Sequence, residues 1–378
     1  GMVTSTYPHL ADKPKRDGFP ICDCFNLEGY DNRVLVVLTD GCNWGPRPKL
    51  AAWRANSALS GYVRTNNEEI YSTKDAIAIL LRGLFVSQES IMENVEDVWE
   101  AGCTTILGGM LLEEASANLR QCMRLDDLAT EYMTWSFVCV SVGDCKAYVY
   151  RAREDKVEEI TLGNSPEDPC NPGGRLGPYN QDGSPDLSNL HAFSVGGLRH
   201  GDMLLVMSDG IHDNFEPAVM GMSPMDCFDK GLTTKRYTAW DSVPEAALNP
   251  LKYEIKCNLV RNLIVRSGEE GAAGSTSLPR MVPRTLTMSS GAAGAPGRAP
   301  LPPRAACGEL LRHAVATTHP TRAWMMDNPT LRRPKESPGK LDHSSCVCFN
   351  VGRPADLATT QTTTIPLPSI LADLYTTL

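Results

Sequence analysis

Two apolar runs of this sequence end on the same pair of residues. "VLVVLTDGCNWG" (34–45) delivers Asp40-Gly41, and "LLVMSDGIHDN" (204–214) delivers Asp209-Gly210 with Asp213 four residues on. "FVCVSVGDCKAYVY" (137–150) carries Asp144 between two apolar segments, "GKLDHSSCVCFNV" (339–351) sets Asp342 ahead of another, and Asp23 lies early in the chain. One Asp-Gly pair is an ordinary turn signal. Several aspartates at strand ends are different, because carboxylates gathered at one sheet edge repel one another unless cations sit among them. Hard ions such as Mg²⁺ and Mn²⁺ take carboxylates, a backbone carbonyl and waters. A glycine after Asp40 lets the Gly41 carbonyl approach such an ion with no side chain in the way.

Other familiar chemistries lack their residues. There is no G-x-x-x-x-G-K-[ST] loop, no H-E-x-x-H and no G-x-S-x-G. Cys145 and Arg151 have the C-x₅-R spacing of cysteine-dependent phosphatases, but KAYVY between them alternates like a strand and has no glycine to curl around a phosphate. "NPGGRLGPYNQDG" (171–183) is glycine-rich and could bring Arg175 to a phosphate, although its composition also fits a plain flap.

Strands that could present these aspartates are expected near 19–25, 33–39, 103–112, 135–143, 145–151, 156–162, 202–208 and 345–351. Helical periodicity runs over 49–63 and over 73–99, where Thr73 offers a cap and Ile77, Leu80, Leu81, Leu84 and Phe85 a face. Further helices are expected within 113–134, near 251–267 and over 308–316. Strands come in runs and helices in runs, which predicts an α+β fold of antiparallel sheets covered by helices. Residues 1–18 read as a flexible lead-in, 19–353 as one domain, 267–306 as a disordered Gly/Ala/Ser/Pro-rich insertion within it, and 354–378 as a tail.

Of the 378 residues 42% are hydrophobic, enough for a substantial core. The net charge of −9, with no dense Lys/Arg cluster, argues against nucleic-acid binding. The apolar stretches are far shorter than the ~20 residues of a membrane span, and no signal peptide opens the sequence. Thirteen cysteines, many inside apolar strands, fit reduced thiols in a cytoplasmic or nuclear protein. The Cys22/Cys24 and Cys346/Cys348 pairs are spaced C-x-C, which puts both sulfurs on one strand face and is not the usual zinc spacing.

Five motifs, in order, resemble those of the PPM (PP2C-type) metal-dependent serine/threonine phosphatases. "LTDGCNWG" resembles D-G-H-G-G, "AGCTTIL" (101–107) S-G-T-T-A, "VSVGDCKAYVY" N-x-G-D-S-R, "LLVMSDGIHDN" S-D-G-x-W-D, and "GKLDHSSCVCFNV" D-N-x-T-x-V. The resemblance implies two packed antiparallel sheets flanked by helices, and a binuclear Mg²⁺ or Mn²⁺ centre that activates water to attack phosphorus in a phosphoprotein. It assigns Asp40 to both ions, the Gly41 carbonyl to the second, Asp209 and Asp342 to the first, and Asp23 to supporting waters. Asp144 and Asp213, with Asp209, match a third, weaker ion site. The protein is then expected to act as a monomer.

Cys22 stands where that family has glutamate, Cys42 where it has histidine, His212 for tryptophan and His343 for asparagine. The phosphate-binding arginine has its nearest counterpart, Arg16, about two positions out of register. Two readings therefore stand: a divergent phosphatase, and a pseudophosphatase that keeps the fold as a binding module. A third, a thiol sensor built on Cys22 and Cys42, requires lowered thiol pKa values.

Overall fold

The run RVLVVLTDG forms a strand buried along nearly its whole length, and its alternation shows why. Leu35 and Val37 face one apolar cluster while Val34, Val36 and Leu38 face another. A strand apolar on both faces must lie between two layers. The computed structural model describes residues 1–10, 15–114, 134–164, 171–227, 239–265, 300–334 and 337–352. The helix expected within 113–134, most of the 267–306 insertion and the 354–378 tail lie outside these residues.

Among the described residues ten strands form two five-stranded sheets. They are β1 (Met2–Ser5), β2 (Cys24–Tyr30), β3 (Arg33–Gly41), β4 (Thr104–Glu114), β5 (Thr134–Val142), β6 (Lys146–Arg151), β7 (Lys156–Glu159), β8 (Leu190–Arg199), β9 (Met203–Met207) and β10 (His343–Asn350). One sheet has the order β1-β10-β9-β6-β7 and the other β2-β3-β4-β5-β8, and every pairing is antiparallel. Helices α1 (Pro46–Thr65) and α2 (Thr73–Met92) cover the second sheet. Helices α3 (Glu245–Ile264) and α4 (Pro303–Asp327) cover the first. The sheets pack face to face through Leu38, Leu107, Phe137, Val149, Leu204, Val206 and Val347. The expected α-β-β-α sandwich is the fold, and each fully buried Val, Leu or Phe contributes about 1.5–3 kcal/mol to holding it together.

Several local expectations are corrected. Residues 2–5 are not loose lead-in: β1 pairs with β10, Met2 opposite Cys346 and Ser5 opposite His343. The early strand covers 24–30 instead of 19–25. Strand β8 had no clear signal because it lies at a sheet edge with much of its length exposed. Ser72 caps α2 in place of Thr73, its Oγ accepting from the Asp75 N–H, and Phe85 points to solvent while Ala76, Ile79, Leu80 and Leu84 are buried. Helix α4 is longer than expected and opens at Pro303, a residue suited to a first turn. No helix among the described residues is long and apolar enough to cross a membrane.

Candidate active site

One end of the sandwich gathers the acidic residues. Strand β3 ends there with Asp40-Gly41, β9 runs out into a one-turn helix beginning at Asp209, and β10 starts there just after Asp342. Asp23 immediately precedes β2, and Asp144 sits in the β5–β6 turn. The backbones come very close: a Cβ on Gly41 would lie 2.6 Å from the Pro48 carbonyl oxygen, so only glycine keeps β3 against the start of α1.

Asp23 is buried, and its Oδ2 accepts from Ser208 Oγ (2.9 Å) and Ser345 Oγ (2.7 Å). Its Oδ1 and Asp209 Oδ1 are buried without a hydrogen-bond partner among the described residues. Burial pushes the Asp40 carboxyl well above the usual range, and the charges of Asp23, Asp209 and Asp342 push it further. Asp342 is raised likewise by burial and then by Asp209. Its Oδ1 accepts from the Tyr7 hydroxyl (3.3 Å), and its backbone N–H donates to Thr6 Oγ1 (2.7 Å). Burial and the Asp342 carboxylate hold the Tyr7 phenol neutral far above neutral pH. The segment after β1 thus belongs to the site.

A cation that sequence reasoning missed lies inside this cluster. Lys340 Nζ pairs with Asp209, contacts Asp213 Oδ2 at 2.8 Å and lies 3.6 Å from Asp342 Oδ2. Lys340 N donates to Asn214 Oδ1 (2.9 Å) while Asn214 Nδ2 donates back to the Lys340 carbonyl (3.0 Å). Gly339 N adds a bond to the Val219 carbonyl at 2.7 Å. Burial opposes ionisation of Asp213, but Lys340 and His212 overcome it and hold that carboxyl below its usual range. His212 Nδ1 lies 3.0 Å from Asp213 Oδ1 and its Nε2 3.0 Å from the Asp144 carbonyl oxygen. Asp144 is pushed up to about 6 by burial and by Asp209, and its Oδ1 also has no partner among the described residues.

The remaining sequence candidates separate. The Arg175 guanidinium comes near Cys42 and Cys103, stacks on Tyr179 at 4.5 Å and donates to Asn171 Oδ1 (2.5 Å), with Nε buried and unpartnered among the described residues. Arg16 instead donates to the Ser5 (3.0 Å) and Tyr7 (2.9 Å) carbonyls, bracing the N-terminal segment. His343 is a brace as well, its Nε2 2.7 Å from the Gly18 carbonyl oxygen and its Nδ1 accepting from Cys22 N (3.4 Å). Cys145 is fully buried against Thr105 Oγ1 (3.3 Å), so the C-x₅-R spacing has no exposed nucleophile.

The thiol-sensor reading does not fit the thiols. Burial pushes Cys22 up to about 11 and Cys42 up to about 12. At pH 8 the Cys42 thiolate is then a fraction of roughly 10⁻⁴. Cys42 alkylation by iodoacetamide, followed by peptide mass spectrometry, is expected to run about 10³-fold slower than for a free thiol and to quicken about tenfold per pH unit above that. A Cys42 rate matching a free thiol at pH 8 would contradict this placement.

The aspartates suit a hard divalent ion in their chemistry, and the unpartnered oxygens of Asp23 and Asp209 are the kind of atom such an ion satisfies. The donors left for an ion on the Asp40 side are Asp40 and the free Oδ1 atoms of Asp23 and Asp209, and among the described residues no three carboxylates bring ligand atoms within 4.8 Å of one another. On the Asp209–Asp213 side Lys340 already pairs with both carboxylates, while Asp144 Oδ1 is free of a partner among the described residues. Among the described residues, the group of three ligand atoms lying within 4.8 Å of one another is Cys307, Cys346 and Cys348, buried between α4 and β10. Cys346 and Cys348 share one face of β10, as their spacing predicts, and pack with Leu310 and Leu311.

A PP2C-like domain-containing protein of Drosophila melanogaster is 32% identical over 225 residues, covering 58% of this chain and 29% of that protein. The chain thus matches less than a third of that relative's length. No protein-family model matches the sequence. Among solved structures, the photosystem II phosphatase PBCP aligns with 13% identity over 93% of this chain and 99% of that one, at a TM-score of 0.42. The SiaA-PP2C domain of Pseudomonas aeruginosa aligns with 11% identity over 87% and 80%, at 0.38.

Proposed function

We propose, from the premise that this chain has a PP2C-type fold, that it hydrolyses phosphoserine and phosphothreonine in proteins with the help of Mg²⁺ or Mn²⁺. The observation that carries this reading is the meeting of Asp23, Asp40, Asp209 and Asp342, on four separate segments, with buried carboxylate oxygens lacking donors. Asp40, the Gly41 carbonyl and the free Oδ1 atoms of Asp209 and Asp23 would hold the ion. A divalent cation there supplies activation of water and neutralisation of phosphoryl charge.

The chain's own residues supply the rest. Ser208 and Ser345 fix Asp23 so that its free oxygen is not spent on the protein. Asp23 would orient a water and accept its proton. Arg175 reaches the mouth beside Cys42, where a guanidinium can bind a phosphoryl group through two parallel hydrogen bonds. Trp44 and Phe19, large and exposed near Tyr7 and Lys15, offer apolar surface to a substrate peptide. The described cysteines are all free, which suits a reducing compartment such as the cytoplasm or nucleus.

The test is hydrolysis of a phosphothreonine peptide by the purified chain, titrated with Mn²⁺ and Mg²⁺ and repeated after chelation. Turnover that needs metal is expected, with Arg175→Ala raising KM about tenfold or more, as loss of a charge-assisted hydrogen bond does. A second reading, a weak or inactive pseudophosphatase that binds phosphoproteins, is favoured by one observation: Lys340 already pairs with Asp209. Peptide binding without turnover at any metal concentration would select it.

A further inference from the structure

We infer that Lys340 is a resident cation that takes the place of one divalent ion in the cleft, so that the site binds fewer metal ions than its aspartates would otherwise hold. The inference deepens the proposed function and rests on its reading of the aspartates as ion ligands.

The ammonium is built in. Its loop is fastened by the reciprocal Asn214–Lys340 bonds, by Gly339 N on the Val219 carbonyl and by Arg333 Nη2 on the Gly339 carbonyl (2.8 Å). The side chain then has only to extend to reach three carboxylates. On those carboxylates it engages Oδ2 of Asp209, Asp213 and Asp342. A metal ion bound to the same oxygens would have to displace the ammonium or sit within a few ångströms of it. Two cations at that distance in a poorly solvated cleft repel one another strongly. One position is thereby closed.

The other side of the cleft stays open. Among the described residues Asp40 and Asp23 form no ion pair or hydrogen bond with Lys340, and Asp23 Oδ1 and Asp209 Oδ1 have no donor. Six carboxylates, those of Asp23, Asp40, Asp144, Asp209, Asp213 and Asp342, face the Lys340 ammonium, the imidazoles of His212 and His343, and the Lys49 ammonium that donates to the Asp23 carbonyl. The charge deficit therefore persists and leaves room for one ion beside Asp40. An ammonium neutralises and positions, but it has no empty coordination site for a water. Activation of water falls to the Asp40 side, while Lys340 holds Asp209 and Asp342 in place without a second ion.

The experiment counts ions, independent of turnover. Wild type, Lys340→Ser and Lys340→Met are titrated with Mn²⁺ by calorimetry, with bound manganese counted by elemental analysis after gel filtration. Circular dichroism checks that each is folded, and Lys340→Met preserves the aliphatic stem should the serine variant fold poorly. One Mn²⁺ per chain is expected for wild type and at least one more for each variant. The variants are also expected to melt below wild type without metal and to gain more in Tm when Mn²⁺ is added. Equal stoichiometry and affinity within twofold across the three proteins would overturn the inference. Wild type binding none while the variants bind manganese would sustain it and instead remove metal-dependent hydrolysis as the native activity.

Discussion

Asp40→Asn is expected to lower kcat on a phosphothreonine peptide at saturating Mn²⁺ by at least about 10³-fold, the scale of losing one essential group in a preorganised polar site. The same change is expected to raise the Tm of the metal-free chain by about 2–4 °C. Both effects follow from where the carboxylate sits. Asp40 lies at the end of a buried strand, has no side-chain hydrogen bond among the described residues, and is repelled by Asp23, Asp209 and Asp342. Without metal its ionised form costs stability, because a buried charge without a partner is penalised heavily. Its folded-state pKa lies above the unfolded value, so stability is fullest below the unfolded pKa and is lost as pH rises through the folded one. The Tm advantage of Asp40→Asn should therefore be absent near pH 4 and grow toward neutral pH. Thermal melts at several pH values, beside peptide kinetics, measure both halves. A variant within tenfold of wild-type kcat would remove Asp40 from the reaction. A Tm gap independent of pH would show that its charge is already compensated.

What was legible in the sequence followed from burial. β3, β6, β9 and β10 each place alternate side chains in two different cores, so they stand out as apolar runs, and the aspartates at their ends were found with them. β1 and β8 gave less because both are edge strands: one has four residues and the other is largely exposed. A four-residue edge strand carries no pattern that sets it apart from a loose lead-in, so Thr6 and Tyr7 gain their place in the site only from the fold. Lys340 was missed for a different reason. A lysine between glycine and leucine in a loop reads as solvated, and only the fold reveals that Asn214, Asp209 and Asp213 stand opposite it. Its one sequence-level signal was a position two residues before Asp342.

Gly210→Ala is expected to destabilise the chain by about 3–5 kcal/mol, a large share of the roughly 5–15 kcal/mol that a domain has. A Cβ on Gly210 would lie 1.9 Å from the His343 carbonyl oxygen and 2.8 Å from Ser344 Oγ, so the turn after β9 and the start of β10 would have to part. Three hydrogen bonds resist that movement. Ser208 N donates to the Ser345 carbonyl (3.0 Å), Ser345 N to Ser208 Oγ (3.0 Å), and Ser344 Oγ to the Gly210 carbonyl (3.0 Å). Denaturant unfolding gives the loss directly. Gly61→Ala provides the contrast, because it adds the same methyl within α1 with no atom in its way and should stabilise by about 0.5–1 kcal/mol. The glycine contact also sets the site: Asp209 precedes Gly210 and Asp342 precedes His343, so the close approach that excludes a methyl is what brings those two carboxylates to one ammonium. Gly210→Ala should accordingly weaken Mn²⁺ binding even at temperatures where the chain is still folded. Unchanged affinity in the folded variant would mean that the two aspartates are held by other contacts.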